Sequence, residues 1–504
     1  MNKILKSMLL VALVCPVIHS KAQSDIDAMR YSQVQLAATA RSLSMGNAFG
    51  ALGADFSTLS TNPAGIGVYR KSEFTFTPAF GSTSTETSFF GNKSTDNKSN
   101  FNIGNLGFVW AYPKEKKSGW KGWAFGIGYN KLNSYHSRSS YQGVNKSNSL
   151  LDSYVESANG ISYDQLSNPP TNFTSDLGWQ TYLIDTLPGT TNQYFSAIPD
   201  AGSLQRRSRE TRGSAGEVVL SFGGNYNDKI YWGVTLGFPY FRYNEDVIYE
   251  EIDHDNSIEQ TTPGIDSSYA EYFNFKTFSL DQRLATSGNG FNVKFGLIIR
   301  PNDMVRIGAA IHSPTYYNLH DEYISTMHSQ FESGTLEPYQ TPLGIFDYEL
   351  TTPFKAIGSL ALVNQQLGIV SFEYEFMDYS AVSLDGNGYS FFDENQKIEN
   401  VYSQAHNFRA GAEYKYKIFA FRAGVGYYDG LLKSNLSSTE TDQHKFVYSG
   451  GVGIREEKYF VDIGYAYTAG NEFYRPYLLA DEIVEGVYSK INDHKILVTI
   501  GFRF

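Results

Sequence analysis

The sequence is poor in cysteine and in charge. Its single cysteine among 504 residues, Cys15, excludes a framework of disulfides. Charged residues make up 18% of the chain and the formal net charge is −11, so the basic surface that nucleic acid requires is missing. Beyond the first 22 residues, no apolar run reaches the roughly 18 residues of a transmembrane helix. These absences exclude a disulfide-stapled domain, a nucleic-acid partner and a helical membrane protein.

The first 22 residues have the pattern of an export signal. Positive charge precedes an apolar stretch from Met8 to Ile18, and small residues at Ser20 and Ala22 mark a cleavage site ahead of Gln23. The apolar stretch is too short to span a membrane, which disfavours the alternative of a buried N-terminal helix. We expect residues 1–22 to be a signal peptide that is removed after export.

The sequence is rich in aromatic residues and glycine, with 37 Tyr, 35 Phe and 46 Gly. Several stretches alternate with a period of two. In residues 291–299, Phe291, Phe295 and Ile299 share one face, while Asn292 and Lys294 lie on the other. The pattern recurs at residues 305–312, 407–414, 419–427 and 459–467. An apolar face opposite a face of charges and glycines is typical of a barrel in lipid, although a soluble sandwich has the same period.

The connections between these stretches favour the barrel, because outer-membrane barrels alternate short periplasmic turns with long external loops. Short polar turns are found at residues 113–119, 227–229, 300–303, 364–366 and 455–458. Long loops are predicted at residues 142–208, 253–285, 324–346, 384–404, 429–443 and 471–492. Strands are predicted to start near residues 72, 100, 121, 211, 229, 286, 303, 347, 367, 405, 417, 443, 457 and 493. The stretch Tyr269–Leu280 is assigned to an external hairpin, which keeps the strand count even.

The predicted fold is therefore all-β. It is a transmembrane antiparallel β-barrel of about 14 strands over residues 71–504, placed in the lipid bilayer of the cell outer membrane. The last strand ends at Phe504, which resembles the signal that the barrel assembly machinery reads in outer-membrane proteins. Residues 23–70 are predicted to form short helices and turns. We expect them to be an N-terminal plug, or hatch, inside the barrel, with a periplasmic tail as the alternative.

The hatch contains three short motifs: Gly46-x-Ala48, Asp55-x-Ser57 and Asn62-Pro63-Ala64-Gly65. In these motifs the sequence resembles the FadL-type outer-membrane transporters of long-chain fatty acids and other hydrophobic compounds, a family of fourteen-stranded barrels. It departs from many relatives at Ala54-Asp55, where they carry paired acids. The resemblance implies that the hatch residues gate the barrel. A plain turn ahead of the first strand accounts for the same residues without a function, since Pro63 restricts its own φ and the conformation of Asn62.

The resemblance also implies a function. The expected activity is passive uptake of hydrophobic small molecules, most specifically long-chain fatty acids, with no cofactor and no metal. Two alternatives stay open: a receptor that binds haemin or another ligand without being the transport channel, and an adhesive or structural barrel. No catalytic residue is predicted, because the histidines are scattered and the sequence has no Gly-x-Ser-x-Gly motif.

Cations on the inward face are candidates for holding an anionic ligand head, because arginine binds carboxylates through two parallel hydrogen bonds. The alternation directs six of them into the lumen: Lys294, Arg306, Arg409, Arg422, Lys445 and Lys495. The alternative is that they pair with water or with inward acids such as Glu413 and Asp462.

Overall fold

The computed structural model describes residues 25–115, 118–166, 173–198, 202–253, 275–364, 366–433 and 443–504. The predicted signal peptide, residues 1–22, lies outside these ranges. One large antiparallel sheet dominates the described chain. No helix within it is long and apolar enough to cross a membrane.

The sheet is a closed barrel of fourteen strands, of which β3, β7 and β8 are each interrupted once. The strands are β1 (Glu73–Phe89), β2 (Asn92–Pro113), β3 (Trp120–Ser134 and Ser137–Asn145), β4 (Ser203–Tyr226), β5 (Ile230–Ile252), β6 (Phe275–Ile299), β7 (Val305–His312 and Tyr316–Phe331), β8 (Gly344–Thr351 and Lys355–Asn364), β9 (Gly368–Asp378), β10 (Gln404–Tyr416), β11 (Phe419–Tyr428), β12 (Lys445–Arg455), β13 (Tyr459–Tyr474) and β14 (Val487–Arg503). β14 pairs with β1 from Arg503 opposite Glu73 to Tyr488 opposite Ser88, which closes the barrel. The predicted fold class is confirmed.

The strands are longer at the external end than predicted. Those that follow a short turn start within two residues of the prediction, whereas β2, β4, β6 and β14 start six to eleven residues earlier. The assignment of Tyr269–Leu280 to a hairpin is wrong for Phe275–Leu280, which belongs to β6, and residues 269–274 lie outside the described ranges. The physical reason is that strands continue to pair above the lipid, where their outer face carries ion pairs such as Arg206 with Glu250.

The outer face of the barrel is apolar and exposed around its middle. Phe295 on β6, Ile307 on β7 and Phe372 on β9 are 45%, 48% and 50% exposed. A water-soluble protein rarely leaves so much contiguous apolar surface uncovered. The predicted alternation is thus present, with the apolar residues outside and residues such as Lys294 inside, as in a barrel surrounded by lipid.

The segment ahead of β1 lies inside the barrel as a plug. It contains helices α1 (Asp25–Ser32) and α2 (Ala40–Ser44) and two 3-10 helices, Phe56–Ser60 and Pro63–Val68. Three polar side chains cap the elements that follow them, namely Thr39, Asp55 and Asn62. The sequence specifies these short helices through the caps, because each capping oxygen satisfies a backbone N–H at the start of its helix.

Inward glycines make room for the plug. A Cβ atom on Gly233, Gly296 or Gly308 would lie 2.1, 2.0 or 2.4 Å from the nearest plug atom. Real side chains do not tolerate such distances, so only glycine fits where the plug backbone approaches the wall this closely. The glycines of the inward face, which the sequence pattern shows without explaining, are therefore the contact surface for the plug.

Two external connections cover the mouth of the barrel. The connection between β3 and β4 forms a lid of helices α3 (Leu150–Ala158), α4 (Tyr163–Leu166) and α5 (Phe173–Gln180) with a ribbon of Ile184–Thr186 and Tyr194–Ser196. The connection between β9 and β10 contains a 3-10 helix (Tyr379–Ala381), a short strand (Ser383–Asp385) and helix α6 (Phe392–Val401). Two further short strands, Gly334–Thr335 and Tyr339–Gln340, lie between β7 and β8.

Candidate functional site

The Asn62–Gly65 turn is fixed between the plug and the barrel wall. Asn62 accepts a hydrogen bond from the Ala64 backbone N–H at 3.1 Å, and its amide donates to the Gly50 carbonyl at 2.6 Å and to that of Leu297, on β6, at 3.3 Å. Pro63 begins the 3-10 helix that follows. Gly65 lies so close to Thr58 that a Cβ atom would meet its Oγ1 at 2.3 Å. The turn is therefore a rigid support.

The other hatch motifs hold the two halves of the plug together. Asp55 accepts hydrogen bonds from the hydroxyls of Ser57 and Thr39, both at 2.7 Å. Gly46 adopts a φ of +63°, which glycine reaches without strain, and Ala48 is fully buried. A gating role for these residues stays a prediction, and their contacts favour a support that does not move.

Arg41, in α2, ties the plug to the far wall of the barrel. Its guanidinium donates to both carboxylate oxygens of Glu413 at 2.9 and 3.0 Å. Arg422 joins that carboxylate to Asp462, with hydrogen bonds of 2.7 Å to each. Burial disfavours the charged guanidinium, but the adjacent Glu413 carboxylate outweighs it and raises the pKa of Arg41. Breaking a buried pair leaves an uncompensated charge, so this link resists displacement of α2. Sequence reasoning missed Arg41 because it considered only cations on strands.

Four of the six predicted lumen cations pair with acids of the wall, one of them, Lys495, with Asp493 on its own strand at 3.0 Å. Lys294 pairs with Glu217. Arg409 pairs with Glu373 at 2.8 Å and with Glu375 at 2.9 Å. The fourth, Arg422, belongs to the network under Arg41. These cations face inward, but their charges are already neutralised.

Lys495 and the two predicted cations without an acid partner among the described residues, Arg306 and Lys445, contact the plug. Arg306 donates to the Leu52 carbonyl at 2.8 Å. Lys445 and Lys495 donate to the amide oxygens of Gln33 and Gln35, each at 3.3 Å. The two lysines thus hold a segment of the plug that precedes α2, by hydrogen bonds longer than those that hold Arg41.

That segment, residues 33–37, lies where two barrel strands separate. The backbone ladder between β2 and β3 runs from Pro113 opposite Gly122 up to Asn105 opposite Asn130. Above it, within the described strands, β2 keeps its pairing with β1 and β3 pairs with β4, but β2 and β3 do not pair with each other. We call this unpaired stretch between β2 and β3 the seam.

The plug segment covers the seam from inside. The backbone N–H groups of Gln35 and Ala37 donate to the carbonyls of Leu132 and Lys131, on β3, at 2.8 and 3.2 Å. On the β2 side, a Cβ atom on Gly104 would meet the Ala37 carbonyl oxygen at 2.7 Å. Higher up, only side chains bridge the strands, as where Asn100 donates to Ser134 at 3.3 Å. The outer face beside the seam presents Phe101, 74% exposed, to the lipid. Removal of residues 33–37 would leave an opening from the lumen to the bilayer.

A chamber of about 890 Å³ lies between the plug and the lid. Its size is within the range of small-molecule pockets, roughly 300–1,000 Å³. The plug contributes Met29, Arg30 and Gln33, the lid contributes Tyr154 and Leu177, and the rest is barrel wall and loops. Apolar wall side chains and polar ones share the lining; the apolar ones include Tyr243, Val247, Leu284 and Ile324. Such a lining fits a molecule with an apolar body and a polar end.

Two cations of the chamber lining, Arg207 and Lys445, form no ion pair within the described ranges, and Lys445 donates to Gln33 of the plug. Arg207, on β4, lines the chamber, and its guanidinium lies 4.7 Å from the ring centre of Tyr474. In the described part of the chain no carboxylate forms an ion pair with it, whereas its neighbours Arg206 and Arg209 pair with Glu250 and Glu245. Sequence reasoning missed Arg207 because it assigned residues 142–208 to a loop. The alternation of β4, extended four residues before its predicted start at residue 211, places Arg207 inside.

A buried carboxylate holds the lid on the barrel. Glu251, at the external end of β5, accepts hydrogen bonds from the Leu150 backbone N–H at 2.8 Å, the Ser203 hydroxyl at 2.6 Å and the Tyr249 hydroxyl at 2.9 Å. Leu150 is the first residue of α3, so this carboxylate joins the lid helix directly to two strands. Around it, lid residues pack against wall residues such as Phe278 and Met327.

We expect Glu251→Ala to loosen the lid while the barrel stays folded. The change strands three buried donors, at a cost of about 1–3 kcal/mol each. Proteinase K should then cut within residues 146–198 faster than in the wild type, with the barrel fragments intact. Glu250→Ala is the control, because the adjacent Glu250 faces outward and pairs with Arg206. Equal cutting rates in the two variants would show that Glu251 does not hold the lid.

The fold is shared with solved transport proteins. A Pseudomonas aeruginosa FadL homologue matches 94% of this chain and 99% of its own, at 13% identity and a TM-score of 0.57. The Pseudomonas putida toluene transporter TodX matches 94% of this chain and 100% of its own, at 12% identity and a TM-score of 0.51. No protein-family model and no curated protein matches the sequence.

The fold defines the class, a plugged antiparallel barrel. More particularly, it is the FadL-type barrel of fourteen strands with an N-terminal region inside, as the sequence resemblance predicted. At this level of identity the likeness extends to the fold alone. No cluster of His, Cys, Asp or Glu suited to a metal is found among the described residues.

Proposed function

We propose that the protein is an outer-membrane channel for the passive uptake of hydrophobic small molecules, and that long-chain fatty acids are its ligands. One observation carries the proposal. The chamber lining joins apolar side chains to a cation, Arg207, that pairs with no carboxylate of the described chain, and a segment of the plug separates the chamber from the bilayer. The fold likeness to transport proteins supports the same class.

The chamber lining supports an amphiphile over a plain hydrocarbon. Arg207 offers a carboxylate a charged, bidentate partner, and its guanidinium lies against the Tyr474 ring. An apolar tail gains free energy by leaving water for side chains such as Val247 and Leu284. A neutral hydrocarbon gives Arg207 no partner, so the free cation favours a ligand that carries its own anion.

The proposed route leads from the lid through the chamber and out through the seam. Residues 33–37 cover the seam, and they contact the wall by two backbone hydrogen bonds and by the amide contacts of Lys445 and Lys495. The remainder of the plug, from Thr39 to Val68, is anchored by buried contacts such as Arg41 with Glu413. Movement of the first segment alone opens a path to the bilayer, where a fatty acid is more stable than in water. No energy source is needed for that direction.

Arg207→Met tests the ligand class. We expect the uptake of radiolabelled oleate, in a deletion strain that carries the variant, to fall about ten-fold at low oleate concentration, because a charged hydrogen bond is worth roughly 1.5–3 kcal/mol. Uptake of a neutral hydrocarbon should stay at the wild-type level, and Arg207→Lys should restore part of the oleate uptake. Arg206→Met is the control, since Arg206 lies next along β4 but faces outward.

Two results would contradict the proposal. If the wild type takes up no more oleate than the empty strain, the protein is a receptor or an adhesive barrel, and binding of haemin or of host surfaces becomes the next assay. If Arg207→Met lowers oleate and hydrocarbon uptake equally, the channel transports hydrophobic compounds but does not select the carboxylate.

A further inference from the structure

An external loop packs against the N-terminal helix of the plug. Helix α6, in the connection between β9 and β10, packs its buried Ile398 into the cluster that contains Ala28 and Met29 of α1. α1 thus lies between this loop and the aromatic wall of the lumen, where Tyr31 stacks on Phe241 with ring centres 4.4 Å apart. The loop and the plug segment therefore share one hydrophobic core.

A polar contact fixes that packing. Asp25, the first residue of α1, binds the Lys397 ammonium of α6 at 2.7 Å and the Tyr402 hydroxyl at 2.9 Å. The Asp25 side chain is 7% exposed, whereas that of Lys397 is 56% exposed. A buried carboxylate is costly without its partners, so α1 keeps this position only while the loop supplies them.

We propose that Asp25, Lys397 and Tyr402 form a latch by which the external loop holds the seam closed. The inference deepens the proposed uptake route and rests on it. α1 ends at Ser32, one residue before the segment that covers the seam, so a helix held at Asp25 also restrains residues 33–37. Displacement of α6 by a molecule entering the mouth breaks the latch and releases the segment. Lys397 and Tyr402 are positioning residues of the gate, which need not touch the ligand.

The latch is tested by breaking it and by reversing its charges. In ligand-free proteoliposomes, purified Lys397→Met and Asp25→Asn should each raise about ten-fold the rate at which a cysteine introduced at Ala37, which is 6% exposed over the covered seam, reacts with a water-soluble maleimide. The double variant Asp25→Lys with Lys397→Asp should return it towards the wild type, which a merely structural loss would not do. Lys93→Met is the control, because Lys93 pairs with Glu86 in another external hairpin. Oleate uptake is measured on the same variants.

The outcomes separate the latch from the proposed function. A labelling rate at Ala37 that rises in both single variants and falls again in the reversed pair supports the latch. If the same variants show no oleate uptake above the empty strain, the latch stands and the proposed ligand is wrong. A wild-type labelling rate in both single variants, or a reversed pair that is labelled as fast as they are, overturns the latch.

Discussion

Cross-linking the two sides of the seam should abolish uptake. Cysteines at Asn100 and Ser134 would stand on β2 and β3, where the native side chains are 3.3 Å apart and no backbone ladder joins the strands. A short bifunctional thiosulfonate reagent would bridge them and obstruct the opening that residues 33–37 cover. We expect oleate transfer in proteoliposomes to fall by about ten-fold or more and to recover when a reductant opens the link, since blocking the gate blocks the whole route.

The matched control uses the other edge of β2. Ser82 and Ser99 lie opposite each other on β1 and β2, with hydroxyls 3.1 Å apart, in a part of the wall that is already paired. The same cross-link between cysteines at these positions should leave transfer unchanged. The chain's one native cysteine, Cys15, lies in the predicted signal peptide and does not interfere. Undiminished transfer through protein cross-linked at the seam would place the exit elsewhere, for instance along the lumen axis.

The sequence predicted the barrel because lipid makes alternation informative. A residue such as Phe295 must face lipid and a residue such as Lys294 must not, so the period of two assigns each side chain to a face. Short turns then set the strand starts to within two residues. The external strand ends were predicted less well, because above the lipid both faces are polar, as in the pair of Arg206 with Glu250, and the alternation fades.

The seam was not predictable from one sequence, since alternation tells which face a residue occupies and not which residue lies opposite. The seam depends on register: β3 shifts against β4 between Lys131 and Asn133, where Leu132 turns into the lumen cluster. No local motif marks that shift. The backbone carbonyls that the shift exposes accept hydrogen bonds from the plug, which is far away in the sequence but adjacent in the structure.

The lumen cations illustrate the same limit. Alternation directs Lys294, Arg409 and Arg422 inward, but their carboxylate partners lie on other strands, one or two strands away, whose register the sequence does not give. Arg207 was missed for the opposite reason, because its strand extends beyond the lipid into a predicted loop. Arg207, which lines the chamber and pairs with no acid of the described chain, is thus a cation that the lipid-based pattern does not reach.

The contacts of the plug divide it into two parts with different roles. From Thr39 to Val68, buried hydrogen bonds and the Arg41 pair hold it against glycines of the wall. Residues 25–37 are held by the packing of α1, by two backbone hydrogen bonds at the seam and by the latch at Asp25. We therefore expect Thr39 to Val68, which we call the floor, to stay fixed on the Asn62–Gly65 turn, while residues 25–37 move.

Gly296→Ala should break that floor and make the barrel leak. The new methyl group would lie 2.0 Å from Asn62 Oδ1 and 2.8 Å from the Ala64 nitrogen, so the turn must leave its place on β6. The strand itself accepts alanine, and the wall keeps its hydrogen bonds, so the folded barrel should still migrate faster than its heat-unfolded form on a gel. We expect permeability to small hydrophilic solutes to rise about ten-fold or more, measured as the swelling rate of proteoliposomes, because a barrel of this width without its floor is an open channel.

Gly358→Ala is the control for this change. Gly358 lies on β8, and a Cβ atom there would meet nothing within 4 Å, so the variant should swell at the wild-type rate. If Gly296→Ala swells at the wild-type rate, the turn shifts without opening the floor. The plug from Thr39 to Val68 would then adapt to a displaced turn more readily than its contacts imply. A barrel lost from the membrane would assign the turn to assembly, because the wall would then need the plug in order to close. If the folded, heat-modifiable barrel leaks, both of these explanations are excluded, because the wall is then folded while the turn is displaced.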